Sequence, residues 1–112
     1  MLGRKAWLSV IMPIRNGAAF LGAALESVAR EACEGVELVV VDDGSTDASL
    51  SILARYRDRL PMRVLEHQTG SWVAGANLGL RDSDASFACI LHQDDLWLPG
   101  RLGAIRAALD SG

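Results

Sequence analysis

The chain has 112 residues, half of them hydrophobic, and a formal net charge of −3. Domains run from about 50 to 250 residues, so residues 1–112 are expected to form a single domain with one modest core, and the small charge excludes a disordered chain. Eleven basic residues against fourteen acidic ones, with no basic run, exclude a nucleic-acid partner held by bulk charge.

The longest apolar stretch, Ala6 to Ile14, contains Ser9 and Pro13 and is followed by Arg15. It is too short to span a bilayer, which takes about 20 residues, and no small-residue cleavage site follows it. A soluble, cytoplasmic chain is expected. Within this stretch Leu8 to Met12 reads as a first strand, stopped by Pro13. From Ala18 to Ala32 the apolar residues Phe20, Leu21, Ala24, Leu25, Val28, Ala29 and Ala32 recur as one buried helix face requires. Val36 to Val41 is a second strand, apolar enough to be covered on both faces of a parallel sheet. Ser45, Thr46 or Asp47 can cap the next helix, with Leu50 or Ile52, Leu53, Tyr56 and Leu60 inward and Pro61 closing it. Met62 to Leu65 is a short third strand, and Ser71 to Leu80 a weak helix interrupted by Gly75 and Gly79. Phe87 to Leu91 is a fourth strand, in which Cys89 reads as a buried small residue. Together with Cys33 it makes neither a disulfide framework nor a zinc site. Pro99 fits the first turn of a last helix with Leu102, Ile105 and Leu109 inward. The sum, βαβαβαβα, predicts an α/β fold with a mainly parallel sheet.

Ligands in such sheets bind beyond the carboxyl ends of the strands. The loops there are Pro13-Ile14-Arg15-Asn16-Gly17, Asp42-Asp43-Gly44-Ser45-Thr46-Asp47 and His92-Gln93-Asp94-Asp95, following the strands that look most buried. The first lacks the Gly-x-Gly-x-x-Gly of a dinucleotide site, and no Gly-Lys-Ser/Thr phosphate loop is present. Two carboxylate pairs facing a diphosphate would repel it. A hard divalent cation, Mg²⁺ or Mn²⁺, reverses that sign, and His92 offers an imidazole that Mn²⁺ accepts more readily. Asp-Asp-Gly-Ser is equally a turn and capping sequence. His92 alone is more often structural than a ligand, and Trp72 and Trp97 read as packing residues. Spacing alone leaves a metal–nucleotide site and a set of helix caps both open.

Four blocks in order carry a resemblance: Val10-Ile11-Met12-Pro13-Ile14-Arg15-Asn16-Gly17, Glu37 to Asp47 with its Asp-Asp-Gly-Ser, Ala76-Asn77-Leu78-Gly79-Leu80, and Leu91-His92-Gln93-Asp94-Asp95-Leu96-Trp97-Leu98-Pro99. Together they resemble the N-terminal half of a family 2 glycosyltransferase with the GT-A fold, from about Leu8 to Leu109. The resemblance implies a Rossmann-like three-layer α/β/α fold with strand order 3-2-1-4, truncated after the metal-binding signature, so that the three polar loops converge. It implies that Asp43 accepts a hydrogen bond from the donor's base and that Pro13, Ile14, Arg15 and Asn16 line the nucleoside pocket. Asp42, Asn77, His92 and Gln93 join the substrate-binding set. The Asp-x-Asp signature maps onto His92-Gln93-Asp94, making Asp94 the ligand of Mn²⁺ or Mg²⁺, with Asp95 and His92 beside it.

This chain departs from the family pattern at three places. His92 stands for the first acid of the signature, Ile14-Arg15 for a Thr-Tyr pair, and Ala76 for an arginine near the diphosphate, for which Arg15 and Arg81 are candidate replacements. The reaction implied is transfer of a sugar from a nucleotide diphosphate, a UDP-sugar foremost, to an acceptor hydroxyl with inversion. The general base of that reaction is expected beyond Gly112, so the chain alone is expected to bind donor without turnover. A face bared by the truncation leaves room for a homo-oligomer. The rival readings are a non-catalytic α/β scaffold and a receiver-like, Mg²⁺-dependent phosphotransfer domain. The latter places its acid pair after the first strand and needs a late lysine, whereas the one lysine here is Lys5.

Overall fold

A computed structural model describes residues 6–31 and 35–111; Lys5, Ala32 and Cys33 lie outside them. The elements are β1 (Leu8–Ile14), α1 (Ala18–Glu31), β2 (Val36–Asp42), α2 (Ser49–Tyr56), β3 (Met62–Glu66), α3 (Trp72–Asp82), β4 (Phe87–Ile90) and α4 (Arg101–Ser111). The strands form one sheet in the order β3-β2-β1-β4, every pair parallel, as the family resemblance implied.

The pleat divides the core. Leu8, Val10, Met12 and Ile14 of β1, with Val36, Leu38 and Val40 of β2, face a large cluster that includes Leu21, Leu25 and Val28 of α1, Leu53 of α2 and Leu102 of α4. Ile11, Val39 and Val41 point to the opposite face, against Leu65 and Leu78, where α3 lies. Apolar side chains on both sides explain why β1 and β2 read as unbroken hydrophobic runs.

Pro13 does not stop β1. The strand continues to Ile14, with Pro13 opposite Val41. Backbone groups of parallel strands alternate between neighbours, and the Ile11 carbonyl accepts from Leu91 N on the β4 side while the Ile14 carbonyl accepts from Asp43 N on the β2 side. Pro13 therefore turns its missing donor toward β4, which has already ended opposite Ile11. No rung is lost.

Four further expectations change. Phe20 is 58% exposed rather than inward. It lies on a flank of α1 that is covered only two turns later, where Trp97 N donates to the buried Ser27 Oγ at 2.9 Å. Strand β4 is not among the most buried, because it forms the sheet's edge: Phe87 and Ile90 are 48% and 43% exposed and Cys89 is half-buried. The N-cap of α2 is Ala48, without a side-chain bond. Asp47, one residue earlier, holds both helix starts, its Oδ1 accepting from Ser49 N of α2 at 2.9 Å and its Oδ2 from Ala18 N of α1 at 3.0 Å. Leu50 is exposed, and Ile52 packs with Leu53 against the core. Pro99 precedes α4, whose first turn is held by Glu31 at the end of α1. That carboxylate accepts from Gly100 N and Leu102 N, both at 3.0 Å, and these two bonds hold it below the usual carboxylate range.

Helix α3 is capped by Ser71, whose Oγ accepts from Ala74 N. Its glycines, which weaken it as an isolated helix, let it lie close on the sheet. A Cβ at Gly79 would stand 2.6 Å from Ile11 Cγ2 and 3.2 Å from Val41 Cγ2. Both neighbours are β-branched core side chains with nowhere to turn. Gly79→Ala is therefore expected to destabilise the fold by about 1–3 kcal/mol, the usual cost of overpacking, read as a lower urea midpoint; an unchanged midpoint would contradict this packing.

Candidate functional site

The register sets Ile14 opposite Asp42 and Asp42 opposite Glu66, so the segments leaving β1, β2 and β3 start at one level. The loop after β4 returns to the same end, through Gln93. These segments surround a cavity of about 330 Å³ lined by Pro13, Ile14, Arg15, Val41, Asp43, His67, Gly70, Trp72, His92, Gln93 and Asp94. That volume suits a small-molecule site, which takes roughly 300–1,000 Å³.

Asp43 follows Val41 by two residues and shares its face of the sheet. Its Oδ1 accepts from Thr69 N at 2.9 Å. Burial works to raise its pKa, but the backbone bonds from Thr69 and Gly70, then the charges of His67 and Arg15, outweigh it and leave the carboxyl below the ordinary value. A charged acceptor is thus held ready at the cavity wall.

Asp42 points the other way. It is 1% exposed, and its Oδ2 accepts from Ser45 N at 3.3 Å, folding the turn rather than lining the cavity. Asn16 is likewise structural. Its φ of 46° is a left-handed conformation that asparagine tolerates, and its Oδ1 accepts from Thr46 N at 2.7 Å and from Asp47 N. It staples the first polar loop to the second. Asn77 is exposed on α3, away from the lining.

The signature splits in the same manner. His92 and Asp94 line the cavity, with the His92 ring edge-on to Trp72 at 4.8 Å between centroids. Asp95 borders a separate groove with Ile90, Leu96 and Arg101. Among the described residues no three His, Cys, Asp or Glu side chains gather as metal ligands, so His92, Asp94 and Asp95 do not form one ligand set. A Mg²⁺-type ion at a phosphate site needs only one or two carboxylates, because phosphate and water oxygens complete its shell. Asp94 fits that role: it is exposed at the cavity, and no hydrogen bond or ion pair from the described residues engages its carboxylate.

Of the two arginines considered for the charge missing at Ala76, Arg15 lines the cavity. Arg81 sits nine residues into α3, roughly 13 Å along a helix rising 1.5 Å per residue, and is absent from the lining. Sequence reasoning missed His67, Gly70 and Trp72. They follow the short strand β3, and the rule that sites lie at strand ends applied to that loop as well. Trp72 was expected to pack, yet it is 56% exposed at the cavity rim.

Residues 9–112 match the family described as Glycosyl transferase family 2. The PGL/p-HBAD biosynthesis glycosyltransferase of Mycobacterium bovis is 39% identical over 89 residues, 78% of this chain and 35% of that protein. An uncharacterized glycosyltransferase of Nostoc sp. is 32% identical over 100 residues, 88% of this chain and 31% of that protein. The crystal structure of S. aureus TarS in complex with UDP-GlcNAc superposes with a TM-score of 0.89 at 29% identity, over 96% of this chain and 32% of that one. The mannosyltransferase PcManGT from Pyrobaculum calidifontis, in complex with GDP-Man and Mn²⁺, gives 0.79 at 25% identity, over 94% and 32%. The chain thus spans about a third of the length of these relatives. No helix among the described residues is long and apolar enough to cross a membrane. By its matched residues, sheet order and converging loops, the chain belongs to glycosyl transferase family 2.

Proposed function

We propose that this chain is the donor-binding part of an inverting glycosyltransferase, taking a nucleotide-diphosphate sugar, a UDP-sugar foremost, together with Mn²⁺ or Mg²⁺. The observation that carries the reading is that one cavity at the strand ends joins Asp43, anchored by the β3 loop, to Asp94, whose carboxylate no group among the described residues engages. Asp43 accepts a hydrogen bond from the base, and Pro13, Ile14 and Arg15 border the nucleoside. Arg15 supplies fixed positive charge toward the anionic donor. Asp94, with His92 at its side, holds the cation against the diphosphate. When bound, that ion supplies charge neutralisation for the departing nucleotide diphosphate. Inversion also needs a general base on the far side of the sugar. Among the described residues Asp43 and Asp94 are the two carboxylates in the lining, and both are committed to binding, so neither serves as that base.

Calorimetry with UDP tests the reading. The expected result is heat on adding UDP in Mn²⁺ that EDTA removes. Equal heat with and without the ion would contradict the role of Asp94, and no heat under either condition would favour a scaffold whose acids serve only as caps.

A further inference from the structure

The geometry points to Gln93 as a positioning residue that fixes the first polar loop against Asp94, an inference that rests on the donor-binding reading above. The side chain of Gln93 reaches across 78 positions of sequence to the backbone of Arg15. Its Oε1 accepts from Arg15 N at 2.8 Å, and its Nε2 donates to the Arg15 carbonyl at 3.2 Å. Both bonds are satisfied by one orientation of the amide only.

The alternation of β1 explains why this clamp is needed. Ile11 turns its carbonyl to the β4 side, and Pro13 and Arg15 follow it at every second residue. Strand β4 stops pairing at Ile90, opposite Ile11. Pro13 has no donor to lose there, but Arg15 has both a donor and an acceptor facing a strand that has ended. The Gln93 amide fills the place of the missing rung. A primary amide presents a donor and an acceptor side by side, as a peptide does, whereas an ionised carboxylate presents acceptors only.

Gly17 completes the device. A Cβ there would stand 2.5 Å from Gln93 Oε1 and 2.6 Å from its Cδ. The glycine leaves the space that the amide occupies. Gln93 was expected to touch substrate; it lines the cavity, and one donor and one acceptor of its amide go to the Arg15 backbone. Because Gln93 is covalently next to Asp94, the clamp sets how far the nucleoside loop stands from the cation-holding carboxylate. A ligand bridging both needs that span held, whereas a bare nucleoside does not.

Gln93→Leu removes both bonds at similar size, and Gly17→Ala displaces the amide while keeping it. Each is titrated with uridine alone and with UDP plus Mn²⁺, alongside hydrogen exchange at the Arg15 amide. UDP·Mn²⁺ affinity is expected to fall roughly 10- to 100-fold, as when the support behind a metal ligand is removed, and uridine affinity to fall by less. The Arg15 amide should exchange faster in both variants. Unchanged UDP·Mn²⁺ affinity in Gln93→Leu, or an Arg15 amide as protected as before, would overturn the clamp while leaving donor binding standing. A parent chain that takes up no UDP with Mn²⁺ would overturn the donor-binding reading, and the positioning role with it.

Discussion

Asp43→Asn is expected to weaken uridine binding roughly 10- to 100-fold, the range for losing a hydrogen bond to a charged group, with little change in melting temperature. Asparagine keeps an oxygen for Thr69 N, which donates to Oδ1 at 2.9 Å, so the β3 loop stays in place. It loses the charge and the second acceptor that the base would use. The loss should appear with uridine alone, since neither diphosphate nor cation takes part. The pH dependence follows from the sign of the shift. Asp43 is held below its ordinary value of 3.8, so its ionised form persists above that value and is lost as pH falls through the lowered one. The affinity ratio of parent to Asp43→Asn should therefore be constant above about pH 4 and shrink only in stronger acid. Equal affinities at neutral pH would remove Asp43 from the nucleoside site.

Asp94→Asn is expected to act in opposite directions with and without the cation. A carboxylate facing a diphosphate repels it unless a divalent ion stands between them. With Mn²⁺ present, the variant should lose the cation-dependent gain in UDP affinity, a drop of roughly 10- to 100-fold on the scale of disabled metal sites. With EDTA, it should bind UDP as well as the parent or better, because a repelling charge has gone. Uridine should not distinguish the two. A variant weaker than the parent under EDTA would mean that Asp94 supports the fold rather than an ion.

Much of this was legible in the residues. The valine run of β2 and the apolar run of β1 carried their own burial, since strands covered on both faces need no alternation. The strand order came through the family resemblance, whose motifs lie at strand ends. Asp43, Arg15, His92 and Asp94, which line the cavity, stood out as candidates because they are polar residues in the loops directly after such strands. What the sequence hid depends on distant contacts. Phe20 fits the helical stripe, but its cover arrives from Trp97, 77 residues later, and falls on Ser27 instead. Asp47 has the look of a cap for the helix that follows it, and it does accept from Ser49 N, but its other oxygen caps α1, which precedes it. Asp42 and Asp43 are neighbours in sequence and opposites in the pleat, so one folds a turn and the other faces the cavity. Periodicity also cannot tell an edge strand from a central one when its run is only four residues long, as in β4.

The central claim is that the tips of β1, β2 and β4 serve a single bound nucleotide. Amide NMR shifts followed during a titration with UDP and Mg²⁺ test it most directly. Thr69, Gly70 and Arg15 report on the nucleoside end, and Asp94 on the cation end. All four amides should move together along one binding curve with a single Kd. Two curves with different Kd values, or movement confined to one end, would contradict a shared site.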